Sequence, residues 1–503
     1  MNFDIDRRKL LKATGAGLAT VTIVSGKAGA VTDIGDLPGD GDQQNPYEIG
    51  SFEDLLAIDQ DLDANYILTD HIEFEEENPI PPLAFEDAYS AGNSAFTGTL
   101  DGQGYEIRGF EIEGFSYYSD AGLFGNIGEG GTVRNLNVVD IDVSGDDAVG
   151  ALVGRFEGGD EGAIENVSIT GNVNATNPVG GIVGRMVSGT VADCGSSANV
   201  QGSGSIGGIV GLMQGGDITR TYAKGDVSSQ EGGNTNEGGF VGLMDGGEIT
   251  LSFATGNVFG SLSVGGFVGN LRSGRIEKAY TWGDVGCSED RVGGFAGRVE
   301  EGEGFLGEVY SVGSVCDAEK NNTGGLVGTA ITPESVDIGE DSVSALDQHV
   351  THGYWDVPAS NQETSAGGVG LGDIDDEPPA DEMTGNDAPE NMAGFDFENT
   401  WVAVTGNENI VIGAGSYGSF STHGVRLTQN GGGDGYPIFG WQVDDKPECV
   451  DRRNLGRGQE DDECPGDRDL RRGETRRELD RQTGRGGGSE HRDSATSRRD
   501  RGR

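Results

Sequence analysis

A five-residue string recurs along the middle of the chain, and its spacing limits the possible folds more than any other feature. Gly180-Gly181-Ile182-Val183-Gly184 returns as Gly207-Gly208-Ile209-Val210-Gly211, Gly238-Gly239-Phe240-Val241-Gly242 and Gly265-Gly266-Phe267-Val268-Gly269. Gly293-Gly294-Phe295-Ala296-Gly297 and Gly324-Gly325-Leu326-Val327-Gly328 continue the series, and variants closing at Gly125 and Gly154 open it. Successive closing glycines lie 29, 30, 27, 31, 27, 28 and 31 residues apart. A period of that length marks a solenoid, in which no repeat can bury its apolar face alone and stacking makes one continuous core.

The pieces inside a repeat choose the kind of solenoid. Gly-x-Ile segments follow the recurring string (Gly216-Asp217-Ile218, Gly247-Glu248-Ile249, Gly274-Arg275-Ile276), and Gly-x-Val segments follow those (Gly225-Asp226-Val227, Gly256-Asn257-Val258, Gly283-Asp284-Val285). Three short apolar pieces with turn residues between them suit three strands per coil, and helical 3.6-residue runs are absent. The expectation is an all-β parallel β-helix of about eight coils of ~29 residues, with coils about 4.8 Å apart, a short N-terminal helical cap and a disordered C-terminal tail. Glycine is expected to turn each corner with φ > 0 and to let backbones approach closely. Four residues beyond the Ile position stand Tyr222, Phe253, Tyr280 and Tyr310. This aromatic ladder is packing if it faces inward and a stacking strip for sugar rings if it faces outward.

Charge narrows the setting. The 503 residues carry 34 Lys+Arg against 85 Asp+Glu, a net of −51. Residues 446–503 are close to neutral at +2, so residues 31–445 alone hold −56. Such a field repels nucleic acid and anionic lipid, because counterion release cannot favour two polymers of one sign. It also disfavours a compact chain unless salt screens it, and at molar salt the screening length is about 3 Å. A protein of an extreme halophile fits this composition.

The N-terminus reads Asp6-Arg7-Arg8-Lys9-Leu10-Leu11-Lys12, then a weakly apolar Gly/Ala/Thr run, then Ala28-Gly29-Ala30. Arg7 and Arg8 before a mild apolar segment, with cleavage after Ala30, form the pattern of a twin-arginine export signal. No stretch reaches the ~20 apolar residues of a spanning helix. The tail interleaves Arg with Asp and Glu around almost no large apolar residue, and it is either a surface anchor or a frame-shifted end. The expected organisation is a signal peptide at 1–30, an acidic linker at 31–45, a cap with entry strands at 46–120, the repeat β-helix at 121–345, a closing segment at 346–445 and the tail at 446–503.

The repeats resemble the GLUG motif of secreted and surface proteins of bacteria and archaea. Asn45-Pro46-Tyr47-Glu48-Ile49 with Phe52-Glu53-Asp54-Leu55 is similar to the family's opening segment, and Phe96-Thr97-Gly98-Thr99-Leu100-Asp101-Gly102 to its entry strands. Tyr354-Trp355-Asp356, Thr400-Trp401 and Tyr436-Pro437-Ile438 resemble its closing segment. Together with the twin-arginine leader and the acidic surface, the pattern resembles haloarchaeal members. The resemblance implies a β-helical surface or extracellular protein, often associated with adhesion.

Chemistry is sparse. Some large GLUG-bearing proteins are metalloproteases, yet none of the five histidines sits in an H-E-x-x-H helix. His349 and His352 have an H-x-x-H spacing without the glutamate base, and read as ordinary loop residues. The acidic runs Asp36 to Asp42, Asp160-Glu161 and Asp373 to Glu377 read as solvated rather than calcium-binding. Arginines along the rod read as counter-ions. No cofactor and no metal are expected.

Among the five cysteines, Cys287 and Cys316 end adjacent coils one position apart in register, which allows a disulfide in an exported protein. Cys194 is expected buried, and Cys449 with Cys464 could close a small loop. Sequons stand at Asn166, Asn174 and Asn321.

The function expected is non-catalytic: an exported surface protein for adhesion or envelope interaction, with glycans or cell-envelope proteins as partners. A β-helix polysaccharide lyase or glycoside hydrolase, and a truncated remnant of a larger protein, are the alternatives.

Overall fold

The computed structural model describes residues 31–442 apart from 75–79, 86–94, 113–119, 231–234, 288–290, 301–303, 317–321, 332–348, 373–380, 385–386 and 405–434. Contacts divide the chain at Val443, and the unit Asp444–Arg503 lies wholly outside the described residues. Arg7, Arg8, Ala30, Asn321, Cys449, Cys464 and the acidic run from Asp373 lie outside them as well.

The fold is mostly β, a parallel solenoid of about eight coils between residues 65 and 330. One coil shows the plan: strands Val183–Ser188, Thr190–Ala192, Gly195–Ser196, Asn199–Gly202 and Ser205–Gly207 follow one another around the turn. Each pairs in parallel with its counterpart one period on, Val183 with Val210, Thr190 with Asp217, Gly195 with Tyr222, Val200 with Val227 and Gly207 with Gly238. In this coil tight corners cut the strands into five short pieces, whereas other coils keep the expected three, as in Val241–Ala254, Val258–Gly260 and Ser263–Gly265. Strands of two or three residues, such as Val179–Gly180 and Ser205–Gly207, form a seven-stranded sheet of their own.

The glycines divide into two kinds, corner glycines and paired glycines at close backbone approaches, as the sequence suggests. Gly247, in the Gly-x-Ile segment, has φ +86 and turns a corner as expected. The recurring string is different: Gly238 and Gly239 have no positive φ, and a Cβ on Gly239 would stand 2.1 Å from the Gly266 carbonyl oxygen. There glycine is required by backbone contact between coils, not by dihedral freedom. A second corner is turned by residues of mixed type, with Asn135, Asn166, Asp193, Arg220, Leu251, Lys278, Glu308 and His352 all between φ 47 and 56. Left-handed backbone costs a non-glycine residue roughly 1–2 kcal/mol, less for Asn and Asp.

Inside the coils runs one aliphatic and aromatic core, in which Phe240, Phe267 and Phe295 stack at 4.6 and 4.8 Å with interplanar angles of 6° and 5°. That spacing equals the coil rise, so one residue type repeats at one place and packs against itself. At the N-terminal end, Ser51 caps the turn Phe52–Leu55 by accepting from the Asp54 N–H, and Leu56–Gln60 continues it as a 3-10 turn. Leu55, Ala57 and Ile58 are buried there, so the short helical cap is present as expected.

Candidate functional site

The aromatic ladder is the most constructed feature of the solenoid's outer face. Tyr222, Phe253, Tyr280 and Tyr310 stack at 5.5, 4.9 and 5.2 Å with planes within 14° of parallel. They belong to a second apolar cluster, distinct from the inner core, which Trp282 and Val312 of the coils share with residues of the closing segment. The ladder therefore faces outward, yet it is covered. Phe395, Trp401, Phe439 and Trp441 lie against it, with Trp401 only 4.5 Å from Phe439 and Phe439 5.3 Å from Tyr280.

Its hydroxyls are met individually by this strap. Gln442 Oε1 lies 3.1 Å from the Tyr280 hydroxyl, and Tyr310 donates to the Pro437 carbonyl. Tyr436 donates to Asp356 at 2.6 Å, and Trp401 Nε1 donates to Glu308 at 3.1 Å. Burial pushes the Tyr280 and Tyr310 phenols up, so both stay neutral. Neither sequence alternative holds whole: the strip points outward and is packing.

A second ladder is polar and uncovered. Asn199 accepts from the Asp226 N–H at 3.2 Å, Asp226 from Asn257 at 2.9 Å, Asn257 from Asp284 at 3.1 Å, and Asp284 from Ser314 at 2.9 Å. Each side-chain oxygen satisfies a corner N–H of the next coil, which the Gly-x-Val signature hid behind its variable middle residue.

Charge pairs recur along the coils. Arg134 binds Asp101 at 2.9 Å, Arg220 binds Asp193 at 2.6 Å, and Arg298 and Arg272 share Glu300 at 3.1 and 3.5 Å, as expected of counter-ions. On the first coils Arg155 Nε lies 2.8 Å from Glu157, and Arg185 lies 3.8 Å from Asp147. Between them Asp120 is half-buried, and desolvation pushes its carboxyl up to about 6 against the pull of Arg155. This is one group of acids and arginines that the linear sequence did not single out.

The remaining candidates separate. Asn166 is exposed in the left-handed corner column and donates to Asn135 Oδ1 at 2.9 Å; Asn174 is exposed at the end of Ala163–Asn174. His349 contacts the Gly304 carbonyl at 3.1 Å, while His352 occupies the corner column. Asp42 accepts from the Gln44 and Asn45 N–H groups at 2.8 and 2.7 Å, closing a turn, and Asp160 and Glu161 are exposed. Among the described residues no three His, Cys, Asp or Glu side chains are grouped to hold a metal ion.

Cys194 is buried as expected, between Val167 and Thr221, and burial pushes its thiol up to about 12. Cys316 is disulfide-bonded. The bridge between Val285 and Val315 sets Cys316 opposite Gly286, one place from Cys287, whose side chain lies outside the described residues.

No protein-family profile matches the chain. It is 32% identical over 198 residues to Halomucin of Haloquadratum walsbyi, a match covering 37% of this chain and 2% of that protein. It is 29% identical over 195 residues to a candidate Gly-rich membrane protein of Evansella cellulosilytica, covering 31% of this chain and 22% of that one. The chain thus spans a small part of the length of either relative. A solved Bacteroides ovatus structure, described as a candidate immunoglobulin A1 protease, superposes with a TM-score of 0.43 at 21% identity, covering 54% of this chain and 86% of that one. Among the described residues no helix is long and apolar enough to cross a membrane.

Proposed function

We propose that the chain is an exported, non-catalytic β-helical protein of the exterior or cell surface of a halophile, working in adhesion or envelope interaction. The observation that carries this reading is the polar ladder from Asn199 to Ser314, which presents one acid–amide motif at successive coil positions on an open face. Such a face suits many weak contacts with glycans or envelope proteins, each multiplied by its neighbours. The likeness to Halomucin supports an extracellular place.

Export through the twin-arginine route by Arg7 and Arg8, a Cys287–Cys316 disulfide and glycans on Asn166, Asn174 or Asn321 belong to the same reading. So does the resemblance of the repeats to the GLUG motif. In molar KCl, purified protein is expected to be retained by a glycan array or by envelope fractions. No retention on either would overturn the proposal.

The alternative, an enzyme acting on polysaccharide, is favoured by the group of Asp120, Arg155 and Arg185, since a raised carboxyl among arginines suits acid–base work on acidic sugars. Turnover of a glycan that is lost in Asp120→Asn would establish it.

A further inference from the structure

One position in the seven-stranded sheet departs from the repeat. Reading across the coils, Val149, Val179, Ile206, Val264 and Val292 occupy register-equivalent places, and Thr323 ends the row. Between Ile206 and Val264 the residue is Glu237. Its side chain is 0% exposed. It fills the space its aliphatic counterparts fill: a Cβ on Gly260 would stand 2.4 Å from Glu237 Oε2, as one on Gly202 would stand 2.8 Å from a Val179 methyl.

The carboxyl is poorly provided for as an anion. Oε1 accepts from the Ser261 N–H at 3.3 Å, and Oε2 has no hydrogen-bond partner. Around it stand the hydroxyls of Thr235, Ser229 and Ser261, with the Thr235 and Ser261 oxygens 3.0 Å apart. The strands packed against it, Ser205–Gly207, Val227–Ser229, Val258–Gly260 and Ser263–Gly265, carry no titratable side chain. Behind it pass Val241–Ala254, Val268–Thr281 and Ala296–Glu300, on which Asp245, Arg272 and Arg298 are the charged groups nearest in sequence to the strand starts. Desolvation outweighs the hydrogen bonds from Thr235, Ser229 and the Ser261 backbone, which pull the carboxyl the other way. A buried carboxylate without a cation is costly, whereas the neutral acid fits and can donate a proton.

We propose that Glu237 is carried as the neutral acid and serves as a proton-operated lock on its coil, which loosens when the proton is lost. Desolvation pushes the carboxyl up to about 7 from an ordinary 4.5. Because the folded state holds the proton more tightly than the unfolded one, the contribution is complete below pH 4.5 and declines as pH rises towards 7. Across that window the equilibrium constant for opening rises about tenfold per pH unit, about 300-fold in all. The device is independent of what the outer face binds.

The test is hydrogen exchange and urea unfolding of the full chain in molar KCl from pH 4 to 9, comparing wild type with Glu237→Gln, which keeps the shape and a donor. The many surface acids titrate in both proteins, so the difference between the two curves is the readout. Wild type is expected to lose up to about 300-fold in protection around Val227–Ser229, Val258–Gly260 and Ser263–Gly265 relative to the variant, the loss running from about pH 4.5 to 7 and levelling off above it. Glu237→Val, which restores the residue type of the neighbouring coils, is expected to be equally flat if the Gln variant does not fold. Superimposable pH profiles of wild type and whichever variant folds would refute the lock.

Discussion

Among the described residues one apolar cluster lies within the coils and another between the ladder and the strap, and removing an aromatic ring from each should have different consequences. Phe267 is 0% exposed and clamped between Phe240 and Phe295. Trp401 is 1% exposed, packs on Phe395 at 4.7 Å and Phe439 at 4.5 Å, and donates to Glu308. Truncating either to Ala removes a fully buried ring, which costs about 3–5 kcal/mol, or roughly a hundred- to several-thousand-fold in the equilibrium affected.

The equilibria differ. Phe267→Ala weakens coil stacking and is expected to lower the urea midpoint of the whole β signal. Trp401→Ala weakens strap docking, and also leaves Glu308 without its indole donor, while the inner stack is untouched. The remaining reporters are well placed, since Trp282 donates to the Tyr310 hydroxyl and Trp441 lies 6.0 Å from Phe253. Trp401→Ala should therefore red-shift tryptophan emission and expose the strap to a salt-tolerant protease well before the circular dichroism of the solenoid changes. If both variants melt in one coincident transition, with the strap no more cleavable than the coils, the two clusters are a single cooperative unit and the reasoning fails.

Other consequences can be measured in the same salt. Gly256→Ala places a Cβ 1.9 Å from the Gly225 carbonyl oxygen, so the coils must part, and a loss of at least about 1–3 kcal/mol is expected by thermal melting. Asp226→Ala strips one corner N–H of its acceptor on an exposed face, for about 0.5–1.5 kcal/mol, whereas Asp226→Asn should be nearly silent. The Cys194 thiol should resist alkylation in the native protein and react on unfolding, while non-reducing peptide mapping finds Cys316 joined to Cys287.

Period and burial were legible because one residue type at one place in every coil packs against itself: the string around Phe240, Phe267 and Phe295 is at once the sequence signal and the inner core. The role of its glycines was half legible. Composition and repetition say that no side chain fits, but whether dihedral or contact forbids it depends on where the next coil lies, as Gly239 and Gly247 show. The outer ladder was visible as a column, yet its cover comes from residues such as Trp401, Gln442 and Tyr436, more than a hundred positions from Tyr280, and no local pattern encodes that meeting. The left-handed column from Asn135 to His352 left no sequence mark, because surroundings rather than residue type enforce its backbone. Glu237 was one acid among many until its register set it in a row of valines.

The strap also acts as a gauge of coil number. Its contacts run from Phe253, under Trp441, to Asp356, under Tyr436, over four successive coils carried by Phe253, Tyr280, Tyr310 and Asp356. Repetitive genes gain and lose whole periods by unequal recombination. A period added or removed between Phe253 and Asp356 would carry part of the ladder out of reach of its partners by one coil rise, about 4.8 Å. The same change before Phe253 would leave every strap contact in register. Natural length variation in such chains should therefore accumulate on the N-terminal side of the ladder, with the closing coils held constant in number.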